Sequence, residues 1–219
     1  MVTDVGRTQR AEQVDATRQR LLDTAERLFA ELGLAAVSNR QISAAAGQGN
    51  NAAVGYHFGG KADLVRAIIE RRTAAVEAIR EPMVERVRGS RDLRDWVNCL
   101  IRPVTAHLDS LGGPTWFARF GAQVTADPAF RSVSAEVALA TPSLRTVLDG
   151  VDACLADLPE DVRRTRWEMV RLLMTHGCAE REQALADGGR TTHADWDAAA
   201  TGMVDALVGL LRAPVTPRR

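Results

Sequence analysis

Residues 37–61 read VSNRQISAAAGQGNNAAVGYHFGGK, and this stretch decides the fold. Ser38 followed three residues later by Gln41 fits a capping box, and Val37 and Ile42 occupy the positions of a hydrophobic staple. Together they open a short helix whose inner face is Ile42, Ala45 and Ala46. Gly47 fits the left-handed residue that stops it. Gln48-Gly49 turns the chain, Asn50 or Asn51 caps a second short helix, and Gly59-Gly60 ends that one after Tyr56-His57-Phe58. Two short helices across a glycine-containing turn form a helix-turn-helix unit.

Such a unit places the N-terminus of its second helix against base edges in a major groove. Asn50, Asn51 and Ala52 stand there; Asn pairs bidentately with adenine and Ala touches a thymine methyl. Arg40 on the first helix has the length to reach a guanine edge or a phosphate. Tyr56, His57 and Lys61 suit phosphate contacts, which position a protein on the duplex without reading sequence.

Working outward, Leu21, Leu22, Ala25, Leu28, Phe29 and Leu32 keep a helical period from about Ala16 until Gly33 stops it. Leu64, Ile68, Ala75, Val76, Ile79, Met83 and Val87 continue a stripe from Lys61, with Pro82 expected to kink or restart the helix. The segment from Thr17 to Ile69 resembles the DNA-binding domain of the tetracycline-repressor (TetR) family, on LLDTAERLFAELGLAAVS, NRQISAAAG, AAVGYHF and GGKADL in that order. The resemblance implies DNA contacts from Ser38 and Arg40, base contacts from Asn50 to Ala52, and phosphate contacts from His57 and Lys61; Gln48 in the turn is a further candidate DNA contact. It departs from the family pattern in two places. The turn GQGNN is one residue longer than the commonest form, and Gly55 stands where many members carry Tyr.

The chain has 219 residues and a formal net charge of +0, so DNA affinity has to come from a local patch rather than a generally basic surface. No run of about 18 apolar residues marks a membrane span. The first ten residues lack the apolar core of a signal peptide, which makes a cytoplasmic location the expectation. Cys99, Cys154 and Cys178 form neither a disulfide framework nor a zinc spacing and read as small apolar residues. His176 and Cys178, two apart on a helix, point to different faces, so no metal is expected. No catalytic motif or cofactor fingerprint is present.

The domain organisation expected is a flexible arm over 1–15 (with Arg7 and Arg10 as candidate minor-groove contacts), a helix-turn-helix domain over 16–60, a helical ligand-binding and dimerisation body over 61–213, and a tail over 214–219. The fold class is all-α. In the body, Trp96, Trp116, Phe117, Phe120, Trp167 and Met174 are candidates to line an apolar pocket, with Arg102, His107, Gln123, Arg145 and His176 supplying its polar groups. Two long C-terminal helices, about 160–187 and 194–211, carry excess apolar surface; Trp167, Val170, Met174, Trp196, Met203, Leu207 and Leu210 are the candidates for a two-fold, four-helix interface. The reading is a homodimeric regulator of transcription, a repressor, binding a palindromic operator in double-stranded DNA and released by a small, largely apolar effector. An all-α small-molecule-binding protein or enzyme without DNA recognition is the alternative.

Overall fold

The computed structural model describes residues 3–216, with side chains from Gln9 onward. Among these residues the chain forms ten α-helices: α1 (Thr3–Leu32), α2 (Asn39–Ala45), α3 (Ala53–Phe58), α4 (Lys61–Val87), α5 (Leu93–Leu111), α6 (Phe117–Ala126), α7 (Pro128–Leu139), α8 (Pro142–Cys154), α9 (Glu160–Ala186) and α10 (Trp196–Arg212). The all-α class and the two-part architecture agree with the sequence reading.

Two of the boundaries differ. Helix α1 starts at Thr3, so the segment read as an arm is helical from there, although Gln9 to Ala16 are exposed throughout. Over Gln9 to Ala16 a helix already anchored by Leu21, Leu22, Ala25 and Phe29 extends outward at little cost, because nucleation is the expensive step and the Arg, Ala, Glu and Gln of this stretch are good helix formers. Arg7's side chain, Met1, Val2 and the end of the tail lie outside the described residues. Helix α4 is not restarted at Pro82. Its buried stripe continues through Val76, Arg80 and Val84 on both sides of the exposed proline, and packing of both halves keeps them in one helix.

Local stops follow the glycines. At the end of α2, Gly47 has φ +70°, its N–H donates to Ala44 O at 3.0 Å and Gln48 N–H donates to Ser43 O at 3.0 Å, the paired closure of a Schellman motif.

The buried residues fall into three clusters. The first joins α1, α2 and α3 to the start of α4 (Leu64, Val65, Ile68, Ile69) and to Phe120 and Val124 of α6. The core of the N-terminal region therefore does not stop at residue 60. The second fills the space between α4, α5, α8, α9 and α10 around Trp96, Val97, Ile101, Val147, Val151, Leu207 and Leu211. The third, smaller, holds Leu108, Ala118, Cys178, Ala179 and Trp196. No helix among the described residues is long and apolar enough to cross a membrane.

Candidate nucleic-acid interface and its link to the helical body

The helix-turn-helix is assembled from short-range bonds. Ser38 Oγ accepts from Gln41 N–H at 3.3 Å, and Gln41 Oε1 accepts from Ser38 N–H at 2.8 Å, so the capping box is closed in both directions. Val37 and Ile42 are both buried in the first cluster. Between the helices, the buried Ser43 hydroxyl accepts from Val54 N–H at 3.4 Å. Sequence reasoning missed Ser43; its signal is a hydroxyl on the inner side of a short helix that is otherwise apolar there.

The turn also resolves the two asparagines. Asn50 does not cap α3 with its side chain; the helix starts at Ala53 with Ala52 as its uncapped N-cap. Asn50 Oδ1 instead accepts from Ala52 N–H at 2.9 Å within the turn. Asn51 stays exposed, and its amide oxygen and nitrogen make no hydrogen bond among the described residues. Gln48 is half-buried and donates to Ala46 O at 3.2 Å, so it braces the turn.

The outward face carries Arg40, Asn51, Ala52 and Tyr56, all exposed, Tyr56 to 79%. Arg40 makes no hydrogen bond or ion pair among the described residues. Tyr56 and His57 meet edge to face, ring centres 5.0 Å apart. The far end of α3 is pinned by Arg18 of α1, which donates to His57 O at 2.9 Å and lies 4.3 Å over the Phe58 ring. A cation on a terminal carbonyl complements the helix dipole. Lys61 leans inward more than expected. It is half-buried, its Nζ 5.7 Å from the centre of the Phe29 ring, and burial lowers its pKa against the opposing pull of Asp127. Its stem must swing outward to reach a phosphate.

Two buried carboxylates tie this unit to the body. Glu26 of α1, 2% exposed, accepts from Arg71 Nη2 at 3.1 Å and Arg72 Nε at 2.8 Å, both from α4. Arg72 continues to His107 of α5, with Nη1 3.4 Å from Nε2 and the guanidinium 5.5 Å over the Phe117 ring. An arginine only donates, so His107 Nε2 accepts and the ring proton resides on Nδ1. Burial, then Arg72 and Arg71, hold the His107 pKa down at about 4. The second carboxylate is Glu182 of α9. It accepts from Thr115 Oγ1 at 2.7 Å, Ala118 N–H at 3.1 Å, and Arg119 N–H at 2.9 Å, capping the start of α6 from outside. The other side of α6 enters the first cluster, where Phe120 stacks on Phe29 at 6.2 Å, while Trp116 Nε1 donates to Glu31 at 3.0 Å. Sequence reasoning missed Glu26 and Glu182 as well, because a lone acidic residue in a charged helix gives no sign of its burial.

The expected pocket residues do not converge. Trp96 is core, donating to Ser90 O at 3.0 Å. Phe120 belongs to the N-terminal cluster and Met174 packs against the second. Trp167 donates to Asp152 at 2.9 Å. Arg102 bridges to Asp197 and Thr201 on the surface, Arg145 reaches only Ala140 O, and Gln123 and His176 are exposed. His107 and Phe117 are the one candidate pair in ring contact among the described residues, ring centres 5.4 Å apart. Helix-facing aromatic residues fill local packing sites here, which composition cannot distinguish from a pocket lining.

The dimer candidates need a similar correction. Val170, Trp196 and Leu207 are buried within one chain, and Trp167 and Met174 face α8 and the second cluster. Met203 and Leu210 are half-buried beside surface hollows. The large apolar side chains that α9 does expose are Met169, Leu172, Leu173 and Leu185. Met169, Leu172 and Leu173 thus lie on roughly the opposite side of the helix from the sequence stripe of Trp167, Val170 and Met174. No group of three or more potential metal ligands occurs among the described residues.

A helix-turn-helix held on a three-helix core and wired to a larger helical body defines a DNA-binding regulator with a separate regulatory domain. Residues 21–68 match the family model of the bacterial regulatory proteins, tetR family, and residues 98–209 match that of the tetracyclin repressor-like C-terminal domain. The chain belongs to the TetR family of transcriptional regulators. Among solved structures it is similar to the TetR family transcriptional regulator PfmR from Thermus thermophilus, at 19% identity and TM-score 0.53 over 90% of this chain and 100% of that one. It is also similar to a TetR-family regulator from Mesorhizobium loti, at 14% identity and TM-score 0.51 over 90% of this chain and 97% of that one. At these identities the likeness concerns the fold. No curated protein matches the chain.

Proposed function

We propose that this regulator is a homodimeric repressor that occupies a palindromic operator and leaves it when a small, largely apolar effector binds the helical body. The observation that carries the DNA reading is the exposed outward face of α2 and α3. Arg40, Asn51 and Tyr56 are large polar side chains that make no side-chain hydrogen bond or ion pair among the described residues. Asn51 is the base reader in preference to Asn50, whose amide oxygen is already used in the turn; bidentate recognition of adenine requires both amide atoms. Ser38, Arg40 and Ala52 flank it at the groove, and His57 and Lys61 take phosphates.

Two copies related by a two-fold place two such heads on half-sites about 34–36 Å apart, or a multiple of that. The effector then selects a state in which that spacing is wrong. To move the population from 1:99 to 99:1 it must prefer that state by about 5.5 kcal/mol. Helix α6, held by Glu182 on one side and inserted beside Phe29 on the other, supports the view that a change in the body reaches the head.

Selection of bound sites from random DNA duplexes with the purified protein tests the reading directly. A palindrome is the expected product. Folded protein that enriches no sequence rejects DNA recognition and favours a small-molecule-binding protein.

A further inference from the structure

On α9 the residues four apart from Arg164 to Glu180 form one exposed row: Arg164, Glu168, Leu172, His176, Glu180. The row is an electrostatic palindrome. Four residues to either side of Leu172 stand Glu168 and His176; eight residues to either side stand Arg164 and Glu180. None of the four polar side chains makes a hydrogen bond or ion pair among the described residues. The middle of the row is apolar, with Leu172 45% exposed and flanked by Met169 at 47% and Leu173 at 39%. Two surface hollows lie along the seam of α9 with α10, on opposite sides of this centre. One, about 310 Å³, is bordered by Val162, Thr165, Met169 and Leu210. The other, about 390 Å³, is bordered by Leu173, Gly177, Ala184 and Met203.

We propose that this row is the contact between two copies of the chain, with the two-fold passing at Leu172, so that Arg164 of each copy meets Glu180 of the other and Glu168 meets His176. The proposal rests on the homodimer reading above and fixes its register. A row of residues four apart runs obliquely, about 26° to the helix axis, and two such rows lie along one another when the helices cross near −50°, the commonest packing class. Antiparallel placement about Leu172 then turns every like-charge encounter into an opposite-charge one. A second copy is the occupant because only a two-fold partner presents the same row reversed. The same rotation sets the hollow near Thr165 of one copy beside the hollow near Gly177 of the other. The ridge of Met169, Leu172 and Leu173 meets the same ridge of the second copy, burying the apolar side chains that a monomer leaves in water.

Sedimentation of the full chain tests the register. The wild type is expected to dimerise. Arg164→Glu and Glu180→Arg each replace two attractive pairs by two repulsive ones and weaken the dimer about tenfold or more. Mixed together, the two single variants form a heterodimer in which one Arg–Glu pair is kept and the other is reversed, so that every charge again faces its opposite, as tight as the wild type; the double variant also recovers. Both sites are solvent-exposed, and recovery on mixing shows that each variant is folded. A wild-type dimer indifferent to either reversal, or variants that do not rescue one another, overturns this register and leaves the dimer standing. A wild type that stays monomeric overturns the dimer and the register together.

Discussion

Arg40 and Lys61 are both positive and near the proposed DNA surface, yet their surroundings differ. Arg40 stands exposed on the outward face, while Lys61 is half-buried above Phe29. Arg40→Ala is expected to cost about 1–3 kcal/mol at the selected operator and to relax its sequence preference. Lys61→Ala weakens binding to all duplexes alike and reduces the salt slope by about one charge. Titrations of operator and scrambled duplexes at several salt concentrations separate the two; equal loss of preference in both variants would reject this division. His107 supplies a residue-scale test of the core. Its pKa is about 4 in the folded chain against an ordinary 6.5, so the unfolded chain binds the extra proton between those values. Stability is fully present above about pH 6.5 and is lost as pH falls toward 4, by up to about 3 kcal/mol. His107→Gln should flatten the fall of Tm across that window, and a variant that tracks the wild type would assign the loss to other groups.

At the scale of elements, two glycines in helices have opposite expectations. Gly55 lies inside α3 with nothing within 4 Å of where a methyl would go. Gly55→Ala should stabilise the fold by about 0.5–1 kcal/mol through helix propensity alone. Gly150 of α8 lies under the Trp96 ring, and a methyl there would be 2.3 Å from it. Gly150→Ala should destabilise by about 1–3 kcal/mol through overpacking between α5 and α8. Thermal melts of both variants check the pair, and a stable Gly150→Ala would mean that the Trp96 ring can yield. Periodicity and cap chemistry locate the N-terminal elements from sequence, because Ser38 and the stop glycines act on their immediate neighbours. Whether Trp96 lines a pocket or lies on a glycine inside another helix is a long-range question, and local pattern has no access to it. The same limit applies to the expected interface stripe: the apolar residues of α9 lie on more than one side of it, so the buried side holding Val170 and the open side holding Leu172 are not separable without the neighbouring helices.

At the scale of the molecule, α9 has two outputs. Its outer row carries the proposed contact with a second copy, and its inner side carries Glu182, which holds the start of α6 through four donors, including Arg119 Nε at 3.3 Å. Helix α6 in turn packs Phe120 against Phe29 beneath the reading head. The helix that would fix the spacing of two subunits is thereby joined by one buried carboxylate to the core that fixes the angle of α3. Replacing that carboxylate by an amide keeps the shape and presents an NH₂ group to N–H donors, a mismatch of about 1–3 kcal/mol. Glu182→Gln is therefore expected to lower Tm by several degrees, at about 2–4 °C per kcal/mol for a chain of this size. It should leave the dimer dissociation constant unchanged, because Glu182 faces inward, and weaken operator binding at temperatures where the variant is fully folded. Sedimentation and operator titration on the same sample distinguish the outcomes. Loss of dimer would mean that Glu182 shapes the outer face as well, whereas operator affinity equal to the wild type would mean that the α6 contact stabilises the fold without orienting the head.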